Sequence, residues 1–170
     1  MDLKKVIRSV EDFPEKGILF RDITTVLMNE NALVESVDEM QKKVDGCDFD
    51  LIIGPESRGF IFGMPLAYNL KKGFIPVRKK GKLPYETISE SYNLEYGSAT
   101  VEMHKDAIKK GQKVVIVDDL LATGGTCKAM VNLIEKAGGE VVKIVFFIEL
   151  DDLKGRKVLE GYSVESVLNY

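Results

Sequence analysis

Residues 113 to 130 read KVVIVDDLLATGGTCKAM. Four hydrophobic residues, Val114 to Val117, run directly into two acids, Asp118 and Asp119, and then into the small-residue turn Ala122, Thr123, Gly124, Gly125, Thr126. A short run that is apolar at both parities predicts a strand buried on both faces, the kind that parallel sheets covered by helices contain. From Gly125 to Lys136, Ala129, Met130, Leu133 and Ile134 fall at helical spacing, so a helix follows the turn. A strand ending at Val117 would deliver both carboxylates to the rim of the sheet. Successive strand side chains alternate, so the two acids diverge unless the chain turns there.

The same alternation of strand and helix extends in both directions. Residues 31 to 45 place Leu33, Val34, Val37, Met40 and Val44 at helical spacing, and the apolar run Leu51, Ile52, Ile53 reads as a buried strand. Gly54 and Pro55 break that strand, RGFIFGMPLAYNLKK from 58 reads as a helix, and GFIPVRK from 73 as the next strand. SATVEMH from 98 and GGEVVKIVFFIEL from 138 are further strands, and the last twenty residues read as a short helix and a final strand. The expected fold is α/β: a mostly parallel central sheet flanked by helices, in one domain spanning 1 to 170. Ligands of such sheets bind beyond the carboxyl ends of the strands, which puts loops 54 to 59, 78 to 97 and 118 to 126 on one rim. Residues 78 to 97, RKKGKLPYETISESYNLEYG, show no core face, and a polar segment of that length is expected to be a lid or disordered.

Composition excludes several classes of function. With 170 residues, 45% hydrophobic and 30% charged, the chain is that of a soluble globular domain. Its net charge of −3 gives no basic surplus for nucleic acid or a membrane surface. The N-terminus lacks the apolar core of a signal peptide, so the expected compartment is the cytoplasm. Cys47 and Cys127 form no CxxC pair, and His104 is the only histidine, so neither a zinc site nor a histidine-rich metal site is expected. Cys127 is expected to pack rather than react, and His104 to end a strand or hairpin.

The turn after the acids suits a phosphate. Glycines let backbone N–H groups approach, threonine hydroxyls add donors, and the following helix presents its positive N-terminus. No lysine follows the glycines, so this is not a nucleotide-hydrolysing P-loop. A tight turn with a threonine N-cap would account for TGGT by itself, but not for paired acids ending so hydrophobic a strand.

VVIVDDLLATGGT resembles the phosphoribosyl-diphosphate signature of the type I phosphoribosyltransferases. GILFRDIT at 17 to 24, IIGPESRGFIFG at 52 to 63, the 78 to 97 segment and ELDDLKGR at 149 to 156 resemble the adenine-specific branch of that family, and the resemblance covers nearly the whole chain. It implies the type I phosphoribosyltransferase fold, with a base-binding hood over residues 1 to 30 and a mobile lid over 78 to 97. Asp118 and Asp119 would accept from the ribose 2- and 3-hydroxyls, and Ala122, Thr123, Gly124, Gly125 and Thr126 would hold the 5-phosphate. Glu56, Ser57, Arg58 and Gly59, with a cis peptide between Glu56 and Ser57, would bind pyrophosphate together with Arg78 and Lys82. Leu19 and Arg21 would meet adenine through backbone groups, Phe20 through its ring face, and Leu150 as apolar wall; Arg21 and Asp22 would equally suit a structural pair. Glu95 would exchange a proton with the imidazole part of adenine, and Tyr96 would order the closed lid. Mg²⁺ carried mainly by the diphosphate, no metal ligands from the protein, and a homodimer are implied as well. Glu56 stands where the common form of the family has aspartate. A 6-oxopurine transferase and a non-catalytic phosphoribosyl-diphosphate-binding regulator are the alternatives.

Overall fold

The computed structural model describes residues 1–94 and 97–170; Glu95 and Tyr96, the expected proton-exchange and lid residues, lie outside the described residues. In chain order the elements are α1 (Leu3–Val6), β1 (Arg8–Glu11), β2 (Leu19–Asp22), α2 (Thr24–Leu27), α3 (Glu30–Lys42), β3 (Leu51–Pro55), α4 (Arg58–Leu70) and β4 (Gly73–Lys79). They continue as β5 (Thr87–Asn93), β6 (Ser98–His104), β7 (Lys113–Leu121), α5 (Gly125–Lys136), β8 (Glu140–Glu149), 3₁₀ turns at Asp151–Leu153 and Gly155–Leu159, and β9 (Val164–Asn169). Among the described residues, seven strands form one sheet in the order β5-β6-β4-β3-β7-β8-β9. β4, β3, β7, β8 and β9 run parallel, while β6 and β5 are added antiparallel at the β4 edge. β1 and β2 pair antiparallel as a separate hairpin, the expected N-terminal hood.

Alternation along the buried strands feeds two cores, which is why their apolar runs are unbroken. Val115 and Val117 of β7, with Ile52, Val145 and Phe147, pack against Met40 of α3 and Phe62 and Leu66 of α4. Val114 and Ile116, with Ile53, Ile144 and Phe146, pack against Met130, Leu133 and Ile134 of α5. Each such side chain is fully buried, a contribution of about 1.5–3 kcal/mol apiece. Cys127 belongs to the second core, where burial pushes its thiol pKa well up, as expected of a packing cysteine. His104 ends β6, with its ring edge-on to Tyr85. Among the described residues, no helix is long and apolar enough to cross a membrane.

Two sequence expectations change. β7 does not stop at Val117 but runs to Leu121, because its ladder with β8 continues from Asp118↔Phe146 to Leu121↔Glu149. The 78 to 97 segment is not one loop: Thr87–Asn93 is an edge strand paired with β6 along its whole length. Ile88, Glu90 and Tyr92 form its inner face, but Glu90 meets Lys136 and Asn132 of α5 through polar bonds, so the face does not read as apolar.

Candidate active site

Continuing β7 beyond Val117 carries both acids into a cavity of about 780 Å³ at the carboxyl ends of β3, β4 and β7. Asp118 and Asp119 are only 8% and 6% exposed. Strand alternation would separate them, but Asp118 curls so that its Oδ1 accepts from the Asp119 backbone N–H at 2.8 Å, and both line the cavity. Arg58 Nε lies 2.8 Å from Asp119 Oδ2. Burial pushes the Asp118 carboxyl well above the usual range, and the neighbouring Asp119 charge adds to this. Burial raises Asp119 as well, with the Arg58 guanidinium pulling the other way. Poorly solvated acceptor oxygens of this kind gain most when a ligand brings hydroxyl donors.

The phosphate-type turn follows at once. Gly124 is the N-cap of α5 with φ +87°, a left-handed conformation suited to glycine, and no side chain caps the helix. The alternative reading of the turn, a threonine N-cap, is therefore not realised. A Cβ on Gly124 would lie 2.5 Å from Val158 Cγ2, and one on Gly155 would lie 2.4 Å from the Ala122 carbonyl oxygen. The Gly155–Leu159 turn thus buttresses the small-residue turn from outside. The first N–H groups of α5, which have no partner within the helix, are presented on the cavity side together with Thr123, Gly125 and Thr126.

Beside the acids, at the end of the adjacent strand β3, Glu56, Ser57 and Arg58 line the cavity, and the Glu56–Ser57 peptide is cis. The Glu56 carboxylate points to β4, where Oε1 accepts from Lys79 N at 2.7 Å and lies 3.3 Å from Arg78 Nε. The Lys79 N–H first, and then the nearby Arg78 and Lys79 charges, hold its pKa below the ordinary value, while partial burial pulls the other way. Glu56 therefore straps its loop to β4 by a reach that the glutamate side chain supplies. Gly59 sits in the first turn of α4, against Asp118 and behind the lining.

Some expected residues lie elsewhere. Lys82 is exposed and off the cavity lining, because Lys82 N turns back to the Lys79 carbonyl and Gly81 N donates to the buried Glu102. Lys79 and Lys80 line the cavity beside Arg78 instead, and neither was singled out from sequence. Leu19, Phe20, Arg21 and Leu150 also lie off the lining. Phe20 is nevertheless linked to it, since the Arg58 guanidinium stands 5.6 Å from the Phe20 ring centre and Phe13 packs edge-on at 5.1 Å. Arg21 stacks on Tyr170 at 4.0 Å, and Asp22 pairs with Arg8 rather than Arg21, because neighbours on a strand face opposite ways. Leu150 is half-buried and ties its N–H to the Leu121 carbonyl. Tyr92, also missed, lines the cavity and accepts a hydrogen bond from Thr126.

Among the described residues, no group of three or more His, Cys, Asp or Glu side chains converges as a metal cage. Two acids, one already paired with Arg58, fit a hard cation only if a ligand's oxygens and water complete its shell.

A paired-acid strand end, a glycine turn at a helix N-terminus and facing arginines are the parts of a site for a phosphorylated sugar. The family model described as "Phosphoribosyl transferase domain" matches residues 24–168. The chain belongs to the phosphoribosyltransferase family. It is similar to the adenine phosphoribosyltransferase of Lachnoclostridium phytofermentans, 63% identical over 99% of this chain and 97% of that protein. It is equally similar to that of Acetivibrio thermocellus, 63% identical over all of both chains. Among solved structures, the adenine phosphoribosyltransferase of Thermoanaerobacter pseudethanolicus superposes with a TM-score of 0.97 at 54% identity, covering 99% of this chain and 98% of that one. That of Saccharomyces cerevisiae, complexed with an imino-altritol bisphosphate and adenine, has a TM-score of 0.91 at 40% identity, covering 97% and 96%. Within the phosphoribosyltransferases, the chain belongs with those of adenine.

Proposed function

We propose that this chain transfers phosphoribose from 5-phosphoribosyl 1-diphosphate to adenine, giving AMP and pyrophosphate, as an enzyme of purine salvage. The observation that carries this reading is the buried Asp118–Asp119 pair beside the Gly124 turn, in one cavity with Arg58 and Arg78. The 5-phosphate sits on the N–H groups and hydroxyls of Ala122 to Thr126, where the dipole of α5 favours an anion. The ribose 2- and 3-hydroxyls donate to Asp118 and Asp119. For this, Arg58 gives up Asp119, and its guanidinium turns to the diphosphate, trading one anionic partner for another. Arg78, with Lys79 and Lys80 on the same wall, takes the rest of the leaving group's charge.

The bond from ribose C1 to the diphosphate oxygen breaks, and its electron pair leaves with pyrophosphate. Adenine N9 forms the new bond to C1, and its proton passes to Glu95. Phe20 packs on the adenine face, with Leu19, Arg21 and Leu150 around it, once the hood has closed over the cavity. Closure of the lid formed from 78 to 97 keeps water from the oxocarbenium-like sugar. Mg²⁺ carried by the diphosphate would neutralise the leaving group's charge, and Asp118 and Asp119 are the carboxylates that would face its water shell. The enzyme works in the cytoplasm as a homodimer, for which the exposed Met64 and Tyr68 on the outer side of α4 offer apolar surface.

Competition decides the base. With adenine, hypoxanthine and guanine supplied together with the diphosphate and Mg²⁺, AMP is the expected product. Preferential formation of a 6-oxopurine nucleotide would reassign the base pocket, and absence of any nucleotide would leave only a binding protein.

A further inference from the structure

Strand β5 lies on α5 through Ile88, Glu90 and Tyr92. Lys136 Nζ reaches Glu90 Oε2 at 3.0 Å and the Ser89 carbonyl at 3.2 Å, fixing the near end of the strand to the end of the helix. At the far end, the Tyr92 ring lies on Gly125, so close that a Cβ there would sit 3.1 Å from ring Cδ2. Thr126 Oγ1 donates to Tyr92 Oη at 2.9 Å. Apolar packing explains the ring but not the hydroxyl, since phenylalanine would fill the same space. A threonine hydroxyl in the first turn of a helix is otherwise free to rotate toward solvent or toward the backbone of its own turn.

We propose that Tyr92 is a positioning residue for the 5-phosphate, holding the Thr126 hydroxyl toward the cavity through Tyr92 Oη. The inference rests on the phosphoribose reading of the site. When phosphate binds, the Thr126 proton turns from Tyr92 Oη to an anionic phosphate oxygen, and the Tyr92 O–H donates in its place to a lone pair of Thr126 Oγ1. Only hydrogen bonds change partners, and the new chain ends on a charged acceptor, which strengthens each link. Tyr92 stands two residues before Leu94, whose N–H bonds to the Gly97 carbonyl across the β5–β6 hairpin. Occupancy of the phosphate turn is thereby tied to the hairpin that borders the cavity.

Tyr92→Phe keeps the ring on Gly125 and removes only the hydroxyl, so its stability should fall by no more than the worth of one neutral hydrogen bond. Binding of ribose 5-phosphate and of pyrophosphate is measured separately by calorimetry, alongside steady-state kinetics. The expected result is about fivefold weaker ribose 5-phosphate binding, the net worth of one neutral hydrogen bond, with KM for the diphosphate substrate raised to the same extent. Pyrophosphate affinity, KM for adenine and kcat stay unchanged, a split that general loosening of the fold would not produce. In a Thr126→Ala background the Tyr92 substitution should add nothing. Wild-type ribose 5-phosphate affinity in Tyr92→Phe, or an equal loss in the Thr126→Ala background, would overturn the inference while leaving the phosphoribose reading intact. Wild-type protein that binds no ribose 5-phosphate would overturn both.

Discussion

Replacing Gly124 by alanine loads the phosphate turn against the turn that supports it. At φ +87° an alanine costs about 1–2 kcal/mol relative to glycine. Its Cβ would also stand 2.5 Å from Val158 Cγ2 and 2.8 Å from the Gly155 carbonyl oxygen. Val158 can rotate away, but the Gly155 oxygen is backbone, and overpacking of this kind costs about 1–3 kcal/mol. If the turn keeps its place, the sum is about 2–5 kcal/mol of stability, read as a lower urea midpoint. If the turn moves instead, the cost appears in ligand binding, because the N–H groups of the first turn of α5 leave their positions. Gly161→Ala is the matched control: its φ is +92° and nothing lies within 4 Å of its Cβ, so it carries the conformational cost alone. The excess in Gly124→Ala is the overpacking cost alone, about 1–3 kcal/mol, which corresponds to a roughly 5- to 150-fold loss shared between stability and kcat/KM for the diphosphate. Urea unfolding and steady-state kinetics of the two variants measure it. Equal behaviour of Gly124→Ala and Gly161→Ala in both assays would refute the buttress.

Other perturbations have defined signs. Asp118 titrates higher in the fold than in the unfolded chain, so it makes stability fall as pH rises from about 4 through its raised pKa. Asp118→Asn should remove that fall and be more stable than wild type at neutral pH in denaturant unfolding, while ribose binding weakens about 10- to 150-fold, the worth of hydrogen bonds to a charged acceptor. Arg156 holds the buried Glu149 through Nε at 2.7 Å and Nη2 at 2.8 Å, so Arg156→Ala strands that carboxylate. Urea unfolding should show a loss of about 2–3 kcal/mol, below that of a fully buried pair because Arg156 is half exposed. Cys127, 2% exposed with its thiol pKa pushed up, should resist iodoacetamide at about pH 8 until the protein unfolds, while the more exposed Cys47 reacts in the native state, as mass spectrometry would show.

The βα units were readable because their signals are local. Val114 to Val117, Ile52 to Ile53 and the α5 spacing each declare burial within one element, and the rim position of Asp118 and Asp119 follows from the parallel sheet. What sequence did not disclose depends on contacts between distant segments. The inner face of β5 was hidden because Glu90 is satisfied by Lys136, some 46 residues away. Gly155 and Val158 support the phosphate turn across about thirty residues, with no pattern of their own to announce it. Lys79 and Lys80 replaced Lys82 on the cavity wall because the Gly81 turn, anchored on Glu102, directs the chain away. Glu56 lines the cavity in the expected loop, but only the fold reveals that its carboxylate accepts from Lys79 N.

One assay bears on the whole proposal: radiolabelled adenine, 5-phosphoribosyl 1-diphosphate and Mg²⁺ are incubated with the purified chain, and AMP and pyrophosphate are quantified together. AMP and pyrophosphate in equal amounts, formed by wild type and strongly reduced in Asp118→Asn, is the expected result. Pyrophosphate without AMP, or AMP formation undiminished in Asp118→Asn, would contradict adenine transfer at the Asp118–Asp119 site.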